Sequence, residues 1–85
     1  MKPGLPDLNP SGLVFDIGEA LYGPSWRGAV ALALDVGERR VRRWAAGQNG
    51  IPPGVWGDLA GLLEARRAEL STLIDEARAA ADYGN

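Results

Sequence analysis

Glu38-Arg39-Arg40-Val41-Arg42-Arg43 is where the chain concentrates its charge: four arginines within five residues, interrupted by one valine and preceded by one acid. A guanidinium is a permanent cation with five donors in a planar fork, suited to phosphate oxygens and to the O6/N7 edge of guanine. The chain as a whole is acidic, with 11 Asp and Glu against 9 Lys and Arg and a net charge of −2. Residues 26–47 nevertheless hold five arginines against Asp35 and Glu38, a local charge of +3. Screening limits charge effects to about 8–10 Å at physiological salt, so the local field decides what this segment meets. The expected partner is an anion, with DNA the foremost candidate; the rival reading is an ordinary solvated helix face.

Other chemistry is scarce. The 85 residues include no Cys and no His, which removes disulfides, Cys/His zinc sites, thiol nucleophiles and imidazole acid–base catalysis. No Ser stands beside a candidate base, so no nucleophilic constellation forms. The expectation is a non-enzyme with no cofactor, no metal and no small-molecule ligand. No apolar run approaches the roughly 18 residues that span a bilayer, and the N-terminus lacks a signal-peptide core. A cytoplasmic protein that does not enter membranes is expected.

The elements that must position the arginines follow from punctuation. Pro3, Pro6 and Pro10 make residues 1–10 an irregular arm. A first helix is expected from Ser11 as N-cap to Tyr22, facing inward with Leu13, Ile17, Ala20 and Leu21, and ended by Gly23-Pro24. Ser25 caps a second helix, Trp26 to Leu34, with Val30, Ala31 and Leu34 inside. Asp35-Val36-Gly37 breaks the chain, and Glu38 opens a third helix whose Val41, Trp44 and Ala45 face inward and which Gly47 ends. After a polar turn, Pro53 suits the first turn of a last helix to about residue 81. On it Trp56, Leu59, Leu63, Arg66, Leu70, Leu73, Ala77 and Ala80 alternate at three and four, a heptad seam with one charged member. A break near Arg66-Arg67 is the alternative to a continuous helix. The acids Asp58, Glu64, Glu69, Asp75, Glu76 and Asp82 all lie on this segment, away from the arginines. The fold class is therefore all-α: a compact bundle of four to five helices with a central helix-turn-helix and a long C-terminal helix, residues 11–85 forming one domain.

A helix-turn-helix needs a small residue where its helices cross, a tolerant turn residue, and two apolar anchors on the second helix. Ala31, Asp35, and the pair Val41 and Trp44 meet those needs. The pattern Val30-Ala31-x-x-Leu34-x-Val36, then Val41-x-x-Trp44-x-x-Gly47, resembles the Cro/C1 (XRE-like) helix-turn-helix proteins of phages and mobile elements, over roughly residues 13 to 65. The chain departs from that family in having Asp35 where the turn usually has Gly, and Gly37 in place of a Ser/Thr cap. The resemblance implies roles. Glu38, Arg39, Arg40 and Arg43 would meet base edges in the major groove. Arg42, Trp26, Arg27, Gln48 and Asn49 would meet phosphates, which hold register without reading sequence; Trp26 could instead be a lid on the core.

The seam implies a homodimer through Trp56, Leu59, Leu63, Arg66, Leu70 and Leu73, although Trp56 could equally belong to the core. The functional expectation is a dimeric repressor of an inverted repeat in double-stranded DNA at a promoter, by analogy an autoregulator like those of phage and anti-CRISPR-associated operons. The alternative is a protein-interaction module, an antitoxin or adaptor, that works through the C-terminal helix.

Overall fold

Two short helices end in the same way, and those endings set the geometry of the site. The structure, a computed structural model, describes residues 9–48 and 50–83. The described residues form four α-helices: α1 (Pro10–Tyr22), α2 (Trp26–Leu34), α3 (Glu38–Ala45) and α4 (Pro53–Tyr83), with one 3₁₀ turn (Gly23–Ser25) between α1 and α2. There is no strand among the described residues, and no helix of the described residues is long and apolar enough to cross a membrane.

At the end of α2, Asp35 takes the left-handed conformation (φ 59°, ψ 48°). Its N–H donates to the Leu32 carbonyl at 3.2 Å, while the Val36 N–H reaches back to the Ala31 carbonyl at 3.0 Å. At the end of α3, Gly47 has φ 74°, its N–H donates to Trp44 O at 3.0 Å, and the Gln48 N–H donates to Arg43 O at 2.9 Å. Both are the paired-bond termination that satisfies orphan carbonyls and turns the chain sharply. Glycine adopts the required angle without cost; aspartate is one of the few other residues that does so routinely.

The start of α1 corrects the sequence reading. Asn9, not Ser11, is the N-cap: its Oδ1 accepts from the Gly12 N–H at 3.2 Å and from Ser11 Oγ at 3.1 Å. Pro10 then occupies the first turn, where its missing N–H costs nothing. Ser25 precedes α2 as expected but makes no side-chain cap bond.

The inward face of α1 also differs. Val14, Gly18 and Leu21 are buried, whereas Ala20 is exposed and Leu13 and Ile17 only half-buried. The cause is Trp26. Its indole is fully enclosed and lies against Gly18, where a Cβ would stand 2.8 Å from Trp26 Cγ and closer still to other ring atoms. Phe15 closes the ring edge-on, with centroids 5.7 Å apart at 71°. Around Trp26 the core gathers Val14, Val30, Ala31, Val41, Trp44 and Leu59. The Trp26 indole N–H is buried with no hydrogen-bond partner among the described residues; such a group costs about 1–3 kcal/mol, which the surrounding apolar burial must offset.

The last helix is continuous over 31 residues, about 46 Å at 1.5 Å per residue. It does not break at Arg66-Arg67. Only its first half belongs to the body: Leu59 is fully buried, Val55, Trp56 and Leu62 pack against the core, and every residue from Arg67 to Tyr83 is exposed. The body is thus compact, the second half of α4 extends beyond it, and the described residues measure 53 × 35 × 20 Å.

Gly57 and Gly61 lie on the outer side of that first half, with nothing within 4 Å of an added Cβ. Mid-helix glycine costs about 0.5–1 kcal/mol relative to alanine. The double variant Gly57→Ala/Gly61→Ala is expected to raise the melting temperature by roughly 5–15 °C for a domain of this size, as read by a thermal circular-dichroism melt.

Candidate nucleic-acid interface

α3 is amphipathic in an unusual sense: one face is apolar and the other is almost wholly cationic. Val41 and Trp44 are 0% and 2% exposed, so the helix is held by an i, i+3 pair against α1 and α2. With that face fixed, Arg39, Arg40 and Arg43 must point outward. All three are exposed, and with Gly37 they ring one shallow concavity of about 340 Å³ at the N-terminal end of α3. None of the three ion-pairs with an acid among the described residues. Gly37 offers no side-chain cap to the first turn of α3. Three unpaired guanidinium groups around an open hollow can take up phosphate or the acceptor edge of guanine.

The two other arginines of residues 26–47 have partners. Arg42 Nη2 donates to Glu38 Oε2 at 2.8 Å, an i, i+4 ion pair on the flank of α3. Glu38, placed by the sequence among the base contacts with Arg39, Arg40 and Arg43, is thus turned toward Arg42. Arg27 sits over two aromatic rings, its Cζ 4.7 Å from the Trp26 ring centroid and 5.3 Å from that of Phe15. A cation–π contact of this kind contributes about 0.5–1 kcal/mol near a surface.

Trp26, expected at a phosphate or as a lid on the core, is 0% exposed and lies within the core itself, so its side chain offers no surface to a phosphate. The Gln48 side chain is exposed beyond the end of α3, where its own backbone helps terminate the helix. Asn49 lies outside the described residues.

The proposed dimer seam splits in two. Leu59 is wholly enclosed in this chain's own core and so is not free for a partner, and Trp56 is half-buried against that core. Leu63 is half-buried. Arg66 is tied inward: its Nη1 donates to the Leu21 carbonyl at 2.8 Å, its guanidinium stands 5.9 Å over the Tyr22 ring, and its Nε pairs with Glu69 at 3.2 Å. Only Leu70 and Leu73 remain as an outward apolar pair, joined by Ile74; all three are about half exposed. Ile74 was missed because a strict three-and-four count skips it, although it falls four residues after Leu70 on the same side. The long charged α4 also pairs Arg67 with Glu64 at 2.7 Å.

No group of three or more Asp and Glu among the described residues is placed to hold a metal ion. Compared with known proteins, the chain matches no family model, no curated protein and no solved structure.

Proposed function

We propose that the chain is a sequence-specific regulator of transcription that binds double-stranded DNA through α2, the Asp35 turn and α3, acting in the cytoplasm as a dimeric repressor of its own promoter. The observation that carries this reading is the trio Arg39, Arg40 and Arg43, exposed, unpaired among the described residues, and gathered around one hollow on a helix whose opposite face is buried. In the major groove such a helix would set these forks against guanine edges. Arg42, Arg27 and Gln48 flank it where phosphates would run. Two copies joined through Leu70, Leu73 and Ile74 would carry two such helices to successive grooves about 34 Å apart, on an inverted repeat. A dimer seated there would block polymerase. Nothing in this reading requires catalysis, a cofactor or a small ligand.

A second reading, a protein-interaction module of the antitoxin or adaptor kind, has its own support in the half-exposed Leu70, Leu73 and Ile74. One experiment separates the two: titration of the DNA immediately upstream of the gene, with footprinting, at rising salt. The regulator is expected to protect an inverted repeat with half-sites about one helical turn apart, and its log affinity to fall linearly with log salt. A chain that protects nothing, yet holds a protein partner through the apolar stripe regardless of salt, would establish the module instead.

A further inference from the structure

We infer that Glu38 is a specificity-determining residue that works by competing with DNA phosphate for Arg42, not by reading a base. This rests on the DNA-binding reading above. The four arginines of α3 are not equivalent: three are open around Gly37, and the fourth is closed by a 2.8 Å bond to Glu38. Two features hold the carboxylate in place before any DNA arrives. Glu38 is in the first turn of α3, where the helix dipole favours an anion, and a Glu four residues before a cation is the favourable order for a helical pair. A third feature is room. The other oxygen, Oε1, faces Gly28 of α2, 3.6 Å from where a Cβ would stand, so the carboxylate occupies the notch between the two helices.

The pair is nevertheless weak. Its side chains are 66% and 46% exposed, and surface pairs of this kind contribute little to stability. A phosphate delivered to Arg42 in good register can therefore displace the carboxylate, whereas a passing phosphate must compete with it. Non-specific binding is mostly electrostatic and grows with each neutralised phosphate. Withholding one cation of four lowers affinity for arbitrary sequence, where nothing else favours the encounter. At a cognate site the base contacts of Arg39, Arg40 and Arg43 hold the helix in place while Arg42 changes partner.

The test compares the full-length chain with Glu38→Gln and with Glu38→Gln/Arg42→Gln, on an operator duplex and on a duplex of arbitrary sequence, by fluorescence anisotropy across a KCl series. Gln preserves helix propensity, and unchanged helicity confirms folding. The expected result for Glu38→Gln is a salt slope on arbitrary DNA steeper by about 0.9, one more phosphate neutralised, and about fivefold tighter binding near 0.15 M salt. Operator affinity changes less, so discrimination falls, and the double variant loses the gain. A Glu38→Gln variant that leaves arbitrary binding unchanged, but weakens the operator at one base position, would overturn the inference and make Glu38 a base reader. Unchanged binding on both duplexes would overturn it too. A wild-type chain with no salt-sensitive DNA binding would instead bring down the DNA-binding reading, and this inference with it.

Discussion

Replacing Arg39 and Arg43 together with alanine is expected to remove operator binding while leaving the fold intact. The two side chains sit one turn apart on the exposed face of α3 and line the same hollow. Neither takes part in an ion pair or hydrogen bond that steadies the body among the described residues. Stability should hardly change, because exposed substitutions away from packed contacts usually stay within about 0.5 kcal/mol, and alanine is the better helix former. Binding should change greatly. A bidentate arginine–guanine contact discriminates by about 1–3 kcal/mol, so losing two costs roughly 30-fold to 10⁴-fold, with part of the electrostatic attraction lost besides. The measurement is an operator titration beside a thermal melt of the same preparation. A folded double variant that binds its operator undiminished would end the assignment of α3 as the reading helix.

Gly18→Ala sets two opposite effects against each other, and their sizes decide the sign. Alanine should stabilise the middle of α1 by about 0.5–1 kcal/mol. The added methyl, however, would land in the indole of Trp26, within 2.8 Å of Cγ. That ring is not the movable tip of a flexible chain. It is fully enclosed, with Phe15 against its edge and Arg27 over its face. Overpacking of this kind costs about 1–3 kcal/mol and occasionally more, and a rigid aromatic neighbour places this case at the upper end. The expected outcome is a net loss of about 2 kcal/mol and a melting temperature lower by roughly 10 °C, the reverse of the gain expected at Gly57 and Gly61. A melt in which Gly18→Ala matches or exceeds the parent would mean that α1 and α2 can part without penalty.

The contrast between those glycines shows where sequence was informative. Gly47, Asp35 and Gly23-Pro24 were legible as stops because a left-handed or proline-bound backbone suits few residues, so the ends of α2 and α3 could be read directly. Val41 and Trp44 were legible because a helix with four arginines has only one face left to bury. What spacing could not supply was the identity of the neighbour. Leu59 and Leu70 occupy the same seam, yet one is enclosed by its own chain and the other is half exposed, because α4 outruns the body that it packs on. Gly18 carries no signal in the spacing of α1, yet it is the seat of Trp26. Arg66 looked like a flaw in an interface and is a tether to α1. Arg42 was placed against a phosphate, with no hint that Glu38 already holds it: an i, i+4 pair can be listed from sequence, but whether two mobile side chains choose each other depends on what else surrounds them.

The Arg66 tether divides the chain into two regimes of hydrogen exchange. On its N-terminal side, the amides of α2, α3 and early α4 sit over a core closed by Trp26, Trp44 and Leu59, and their exchange needs that core to open. Beyond it, about 17 exposed residues of α4 are held by their own helical bonds and by local pairing, with no tertiary packing, the source of most helical stability in proteins. Local unwinding there costs far less than global unfolding. A monomer thus keeps two clocks, a slow one in the body and a fast one past Arg66. Occupation of the arm would slow the second without touching the first, whereas occupation of the arginine face would leave the second running as before.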